Sequence, residues 1–71
     1  MLLVNDNEFL LMGYINQFKH YFTVTTAENG YHAVQIVKEH PKDHFDVIML
    51  DINMPIMDGF EACTRIYSYL T

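Results

Sequence analysis

The sequence predicts an α/β fold built on a parallel sheet, and three observations carry that prediction. Strand-type and helix-type segments alternate three times along the 71 residues, the pattern of parallel strands joined by crossover helices. The run Val47-Ile48-Met49-Leu50 is apolar without alternation, as expected of a parallel-sheet strand buried on both faces. Turn- and cap-forming residues punctuate the segments at Asp6-Asn7, Asn29-Gly30, Pro41, Pro55 and Asp58-Gly59.

Residues 2–5 form a short apolar run ending in polar residues and are expected as the first strand. Asp6 and Asn7 then offer a helix N-cap. Leu11, Tyr14, Ile15 and Phe18 follow at i, i+3, i+4 and i+7, one face of an amphipathic helix. Gly13 within it costs about 1 kcal/mol against Ala without breaking it. Residues 22–27 are rich in β-branched side chains and predict the second strand. Ala33, Ile36, Val37 and His40 repeat the helical spacing, and Pro41 ends that helix by disfavouring the helical conformation in the residue before it. Residues 45–50 are expected as the third strand, with Asp51 at its carboxyl end. Asp58 and Glu61 match a capping box, and Cys63, Ile66, Tyr67 and Leu70 predict the apolar face of a third helix. The expected architecture is one unit over residues 1–71, with right-handed crossovers restricting its topology.

Composition narrows the function. A hydrophobic fraction of 51% with 18% charged residues belongs to a folding chain, not a disordered one. Four Lys plus Arg against nine Asp plus Glu give a net charge of -5, which argues against nucleic-acid binding and suits a cation site or a basic partner. No apolar run approaches the roughly 20 residues of a membrane span, and the apolar run that stops at Asn5-Asp6 is too short for a signal peptide. The single cysteine, Cys63, excludes an internal disulfide and fits a reducing, cytoplasmic compartment. Its expected place on the third helix's apolar face favours packing over redox chemistry. His20, His32, His40 and His44 fall at loops and helix ends without a cluster, which argues against zinc. Met54 and Met57 are expected to pack their loop.

Two carboxylates carry the chemistry. Asp6 follows the first strand and Asp51 closes the third. In open α/β sheets ligands bind beyond the carboxyl ends of the strands. If those strands are neighbours, the two carboxylates meet there and repel unless a cation intervenes. A hard cation with oxygen ligands fits, and Mg²⁺ accepts one or two carboxylates while keeping several waters. Taken singly, each has a plain structural role: Asp6 as a helix cap, Asp51 as the start of a loop.

Three stretches together resemble the receiver domain of two-component response regulators. They are Leu3-Val4-Asn5-Asp6-Asn7, Ala27-Glu28-Asn29-Gly30 with Ala33 following, and the long run from Val47 through Asp51-Ile52-Asn53-Met54-Pro55 to Asp58-Gly59. The resemblance spans the chain in register and implies a flavodoxin-like sheet, here in the order 2-1-3. It implies Asp51 as phosphoacceptor, Asp6 as a direct Mg²⁺ ligand, and Asn53 as a ligand through its backbone carbonyl. Pro55 and Gly59 would shape the loop below the site. The implied donor is a phosphohistidine on a histidine kinase or histidine phosphotransfer protein.

Two departures from the family pattern matter. Asn5 stands where the family usually has a second acid acting on the metal through water, so a weaker, indirect contribution and weaker Mg²⁺ binding are expected. The family's later strands and helices, with the switch Ser/Thr and the phosphoryl-contacting Lys, have no counterpart here; Thr71, Lys38 and Lys42 cannot take those roles. The chain therefore reads as the N-terminal half of a receiver, with an uncovered third strand open to edge-strand self-association. The leading function is a phosphoacceptor module of a phosphorelay, not an enzyme. The alternatives are a degenerate receiver acting as a phosphorylation-independent interaction module, and a phosphatase or hydrolase using Asp51. The last is disfavoured because Asn53 occupies the place of its second acid.

Overall fold

A computed structural model describes residues 1–52, 54 and 56–71. The element order is β1 (Leu2–Val4), α1 (Glu8–Phe18), β2 (Thr25–Ala27), α2 (Gly30–Lys38), β3 (Ile48–Leu50) and α3 (Gly59–Leu70). The strands form one parallel sheet, as the alternation of elements predicts, in the order β2-β1-β3 that the resemblance implies. Leu2, Leu3 and Val4 pair with Thr25, Thr26 and Ala27 on one side and with Ile48, Met49 and Leu50 on the other.

All three strands are shorter than their apolar runs. β1 stops at Val4 because Asn5 turns the chain: its Oδ1 accepts the Asn7 N–H at 2.9 Å. β2 begins at Thr25, not Phe22, because the Tyr21 and Phe22 amides both donate to the Phe18 carbonyl and finish the turn after α1. The Phe18 and Phe22 rings meet edge to face across that turn, with centroids 6.2 Å apart.

Each helix has a side-chain cap. Asn7, not Asp6, is the N-cap of α1 and accepts from the Leu10 N–H at 3.1 Å. Asn29 caps α2 through the His32 N–H at 2.8 Å. Asp58 caps α3 through the Glu61 N–H at 2.9 Å. The Glu61 side chain meets Arg65 at 3.1 Å. His40 lies beyond the end of α2, and its Nδ1 is 2.7 Å from the Ile36 carbonyl oxygen. Its ring stacks on His44 with centroids 4.2 Å apart.

The core lies on one side of the sheet. Leu2, Val4, Ala27, Ile48 and Leu50 pack there with residues of α2 and α3, joined by Met54 and Met57 from the β3–α3 loop. Fully burying one such aliphatic side chain is worth about 1.5–3 kcal/mol. Leu3 and Met49 alternate onto the opposite face, where α1 supplies Leu11 as its buried residue. One helix covers that face incompletely. β3 is half-buried along its length, contrary to the expectation of burial on both faces, because no strand among the described residues pairs with its outer edge.

The packed face of α3 also differs from the predicted one. Cys63 and Tyr67 are exposed, whereas Gly59, Ala62 and Ile66 are buried. The reason is the close contact of α2 with α3. A Cβ at Gly30 would clash with the Met57 carbonyl oxygen and lie 3.0 Å from the Ala62 Cβ. That contact turns Ala62 inward, and Cys63, about 100° further round the helix, faces out. Packing therefore does not account for Cys63.

Candidate functional site

The carboxyl ends of β1 and β3 lie side by side. The Asp51 N–H donates to the Val4 carbonyl at 3.0 Å, extending the ladder by one residue beyond Leu50. Continuing the register sets Asn5 opposite Asp51. Strand side chains alternate in direction, so these two share the face of Leu3 and Met49. Both line a cavity of about 370 Å³ with Leu3, Met49, Ile52 and the α1 residues Leu11 and Tyr14. Neighbouring strands stand about 4.8 Å apart, so a group entering beside Asp51 also meets Asn5.

Asn5 is 9% exposed and doubly anchored: its N–H donates to the Ala27 carbonyl at 3.1 Å, and its Oδ1 holds the Asn7 N–H. Asp6 follows at the same end of the sheet and is exposed. It does not line the cavity. The residue that shares a face with Asp51 is thus the amide Asn5. Asn53 lies outside the described residues, as does Pro55. No group of three or more His, Cys, Asp or Glu side chains gathers as a metal site among the described residues. The carboxylates of Asp6 and Asp51 offer oxygen donors at this end, chemistry that fits a hard cation such as Mg²⁺ rather than a thiophilic one.

Gly59 braces the site from below. Its N–H donates to the Ile52 carbonyl at 3.0 Å. A Cβ there would collide with the Asp51 carbonyl oxygen and stand 2.8 Å from the Asp51 carbonyl carbon and 2.9 Å from the Ile52 Cα. Only glycine lets α3 begin this close to the Asp51 backbone. Nearby, Ile56 has φ 73°, a left-handed conformation that a β-branched residue seldom adopts. Neither the Asn5 turn nor the Ile56 conformation has a signal in composition or periodicity.

The rim is apolar. Phe9 at the start of α1, Ile52 and Ile56 in the β3–α3 loop, and Phe60 in the first turn of α3 are all exposed, Phe9 and Ile56 by more than four-fifths. The four histidines contribute nothing here: His44 lines a separate cleft with Met1, Thr23 and Asp46 at the opposite end of the strands.

Comparison with known proteins bears on the family and the fold. The family model described as "Response regulator receiver domain" matches residues 1–69. Histidine kinase 3 of Arabidopsis thaliana is 42% identical over 67 residues, covering 93% of this chain and 6% of that protein. Chemotaxis protein CheY of Halobacterium salinarum is 39% identical over 70 residues, 97% of this chain and 56% of that protein. Among solved structures, the CheX-CheY-BeF3-Mg+2 complex from Borrelia burgdorferi contains a chain that superposes with a TM-score of 0.89 at 33% identity, covering 96% of this chain and 52% of that one. The chain spans little more than half the length of these CheY proteins and a small part of the kinase.

Proposed function

We propose that this chain, which belongs to the response regulator receiver domain family, takes a phosphoryl group onto Asp51 from a phosphohistidine of a histidine kinase or histidine phosphotransfer protein. The observation that carries this reading is the position of Asp51. It closes β3 at the carboxyl edge of a parallel sheet, lines a cavity, and is braced by Gly59. A carboxylate there can act as a nucleophile. One Asp51 oxygen attacks phosphorus in line, the phosphorus–nitrogen bond breaks, and the imidazole leaves with its electron pair. The transfer needs positioning and charge neutralisation more than covalent machinery.

Mg²⁺, when bound, neutralises charge on the carboxylate and the phosphoryl oxygens. Asp6, Asp51 and the Asn53 backbone carbonyl would hold it. A related chain solved in a complex with BeF3 and Mg²⁺ supports Mg²⁺ as the cation. The exposed apolar side chains of Phe9, Ile52, Ile56 and Phe60 support a protein as donor, and the net charge of -5 favours a partner with a basic face. No helix among the described residues is long and apolar enough to cross a membrane, and the exposed Cys63 thiol suits the reducing cytoplasm. The free edge of β3 supports self-association of the isolated chain. The phosphoryl group stays on the chain, so the module is a substrate of its partner rather than a turnover enzyme. The same exposed side chains favour the second reading, an interaction module that works without phosphorylation.

Intact mass after incubation with Mg²⁺ and a small phosphodonor tests the proposal. A labile adduct of one phosphoryl group, absent from Asp51→Asn, is expected. A folded chain with no adduct at saturating Mg²⁺ leaves the interaction reading in possession. Turnover of a phosphomonoester would point to the hydrolase instead.

A further inference from the structure

The Asn5 side chain has two chemically opposite ends, and the fold has already used one of them. Its Oδ1 accepts the Asn7 N–H at 2.9 Å. That bond assigns the amide, since only the oxygen can accept from a backbone donor. The Nδ2 group has no hydrogen-bond partner among the described residues. No fully buried side-chain N or O atom among those residues lacks a partner either, so Nδ2 reaches open space. The space that Asn5 lines is the cavity it shares with Asp51. Register and strand alternation put both side chains on one face of adjacent strands.

We propose that Asn5 serves the anion side of the site and not the metal side: its NH₂ group donates to the phosphoryl oxygens that arrive beside Asp51. This rests on the phosphoacceptor reading of Asp51 and deepens it. A hydrogen-bond donor faces an anion favourably and a cation unfavourably. Asn5 therefore replaces a charge that would attract Mg²⁺ with a dipole that stabilises the charge gathering on the phosphoryl group during transfer. Such a site relies on Asp6 and Asp51 for its formal negative charge toward Mg²⁺. The replacement also avoids a carboxylate directly opposite Asp51, where like charges repel.

Three variants read this role. Asn5→Ser keeps an oxygen that can accept the Asn7 N–H and so preserves the turn, but it removes the NH₂ group. Asn5→Asp keeps the acceptor and adds a charge. Asn5→Ala removes both, and circular dichroism reports whether it folds. Mg²⁺ alone is titrated into each chain by calorimetry, and adduct formation from a small phosphodonor is followed by mass at saturating Mg²⁺. Asn5→Ser is expected to bind Mg²⁺ within twofold of the parent and to form the adduct about tenfold more slowly, at the low end for loss of one oxyanion donor. Asn5→Asp is expected to bind Mg²⁺ about tenfold more tightly, the effect of one further partly screened charge on a divalent ion. A threefold or greater loss of Mg²⁺ affinity in Asn5→Ser, with its rate at saturation unchanged, would return Asn5 to the metal side and overturn the inference. Should the parent chain take no phosphoryl group at all, the phosphoacceptor reading fails. The Mg²⁺ series still decides which side Asn5 serves.

Discussion

Replacing Gly59 by Ala tests the close approach of α3 to the Asp51 backbone. The added Cβ would stand 2.8 Å from the Asp51 carbonyl carbon and 2.9 Å from the Ile52 Cα, and closer still to the Asp51 carbonyl oxygen. Carbon atoms pack best at about 3.5–4.0 Å, so the start of α3 or the end of β3 must retreat by roughly 0.6–1 Å. The obstacle is backbone, which cannot rotate away as a side chain can. Overpacking of this kind costs about 1–3 kcal/mol. The hydrogen bond from the Gly59 N–H to the Ile52 carbonyl lies in the path of that retreat and adds about 1 kcal/mol if broken. The sum, about 2–4 kcal/mol, is a large share of the roughly 4–11 kcal/mol that 71 residues ordinarily sustain. Urea unfolding followed by far-ultraviolet circular dichroism measures it. With a slope of about 1 kcal/mol/M the midpoint should fall by about 2–4 M. Gly13→Ala is the matched control, because a Cβ there meets nothing within 4 Å. It should gain about 1 kcal/mol from helix propensity. A Gly59→Ala midpoint within 0.5 M of the parent would refute the reasoning.

Three further outcomes are expected. Asp58→Ala removes the side chain that caps α3 through the Glu61 N–H; a loss of about 1 kcal/mol should lower the thermal midpoint by about 4–8 °C for a domain of this size, and an unchanged midpoint would deny the cap. Ile56→Gly relieves a left-handed β-branched residue whose side chain is 81% exposed, so stability in urea should rise by about 1 kcal/mol and not fall. Association of the chain through its open sheet edge brings together two molecules of charge -5, so light scattering should show a larger associated fraction in about 0.5 M salt than in 0.05 M, as screening weakens their repulsion.

The features legible in the sequence were those that repeat or punctuate. Apolar spacing marked α1 and α2, and Asn29 and Asp58 stood where caps were needed. The alternation of element types carried the parallel sheet, and the run ending at Asp51 located the site's end of that sheet. Features set by a partner in space were not legible. Cys63 satisfied the helical spacing as well as Ala62 does, and only the contact between Gly30 and Ala62 chose the packed face. Strand ends were misjudged where a side chain or turn competed for the backbone, as Asn5 does after β1 and the Phe18 carbonyl does before β2. At the site, the spacing of Asp6 and Asp51 drew attention to the two charges. The register and the alternation of strand faces single out Asn5 as the neighbour of Asp51, a relation that depends on which strands pair.

The Gly30 N–H donates to the Met57 carbonyl at 3.1 Å, and the missing Cβ at Gly30 is what allows the approach. This joins the first turn of α2 to the loop that leaves Asp51. A displacement of that loop which moves the Met57 carbonyl must stretch or re-aim the bond, so the Gly30 amide is a built-in gauge of the loop. Its resonance, read by nuclear magnetic resonance from a position outside the cavity, registers a change around Asp51 without a label placed on the site itself.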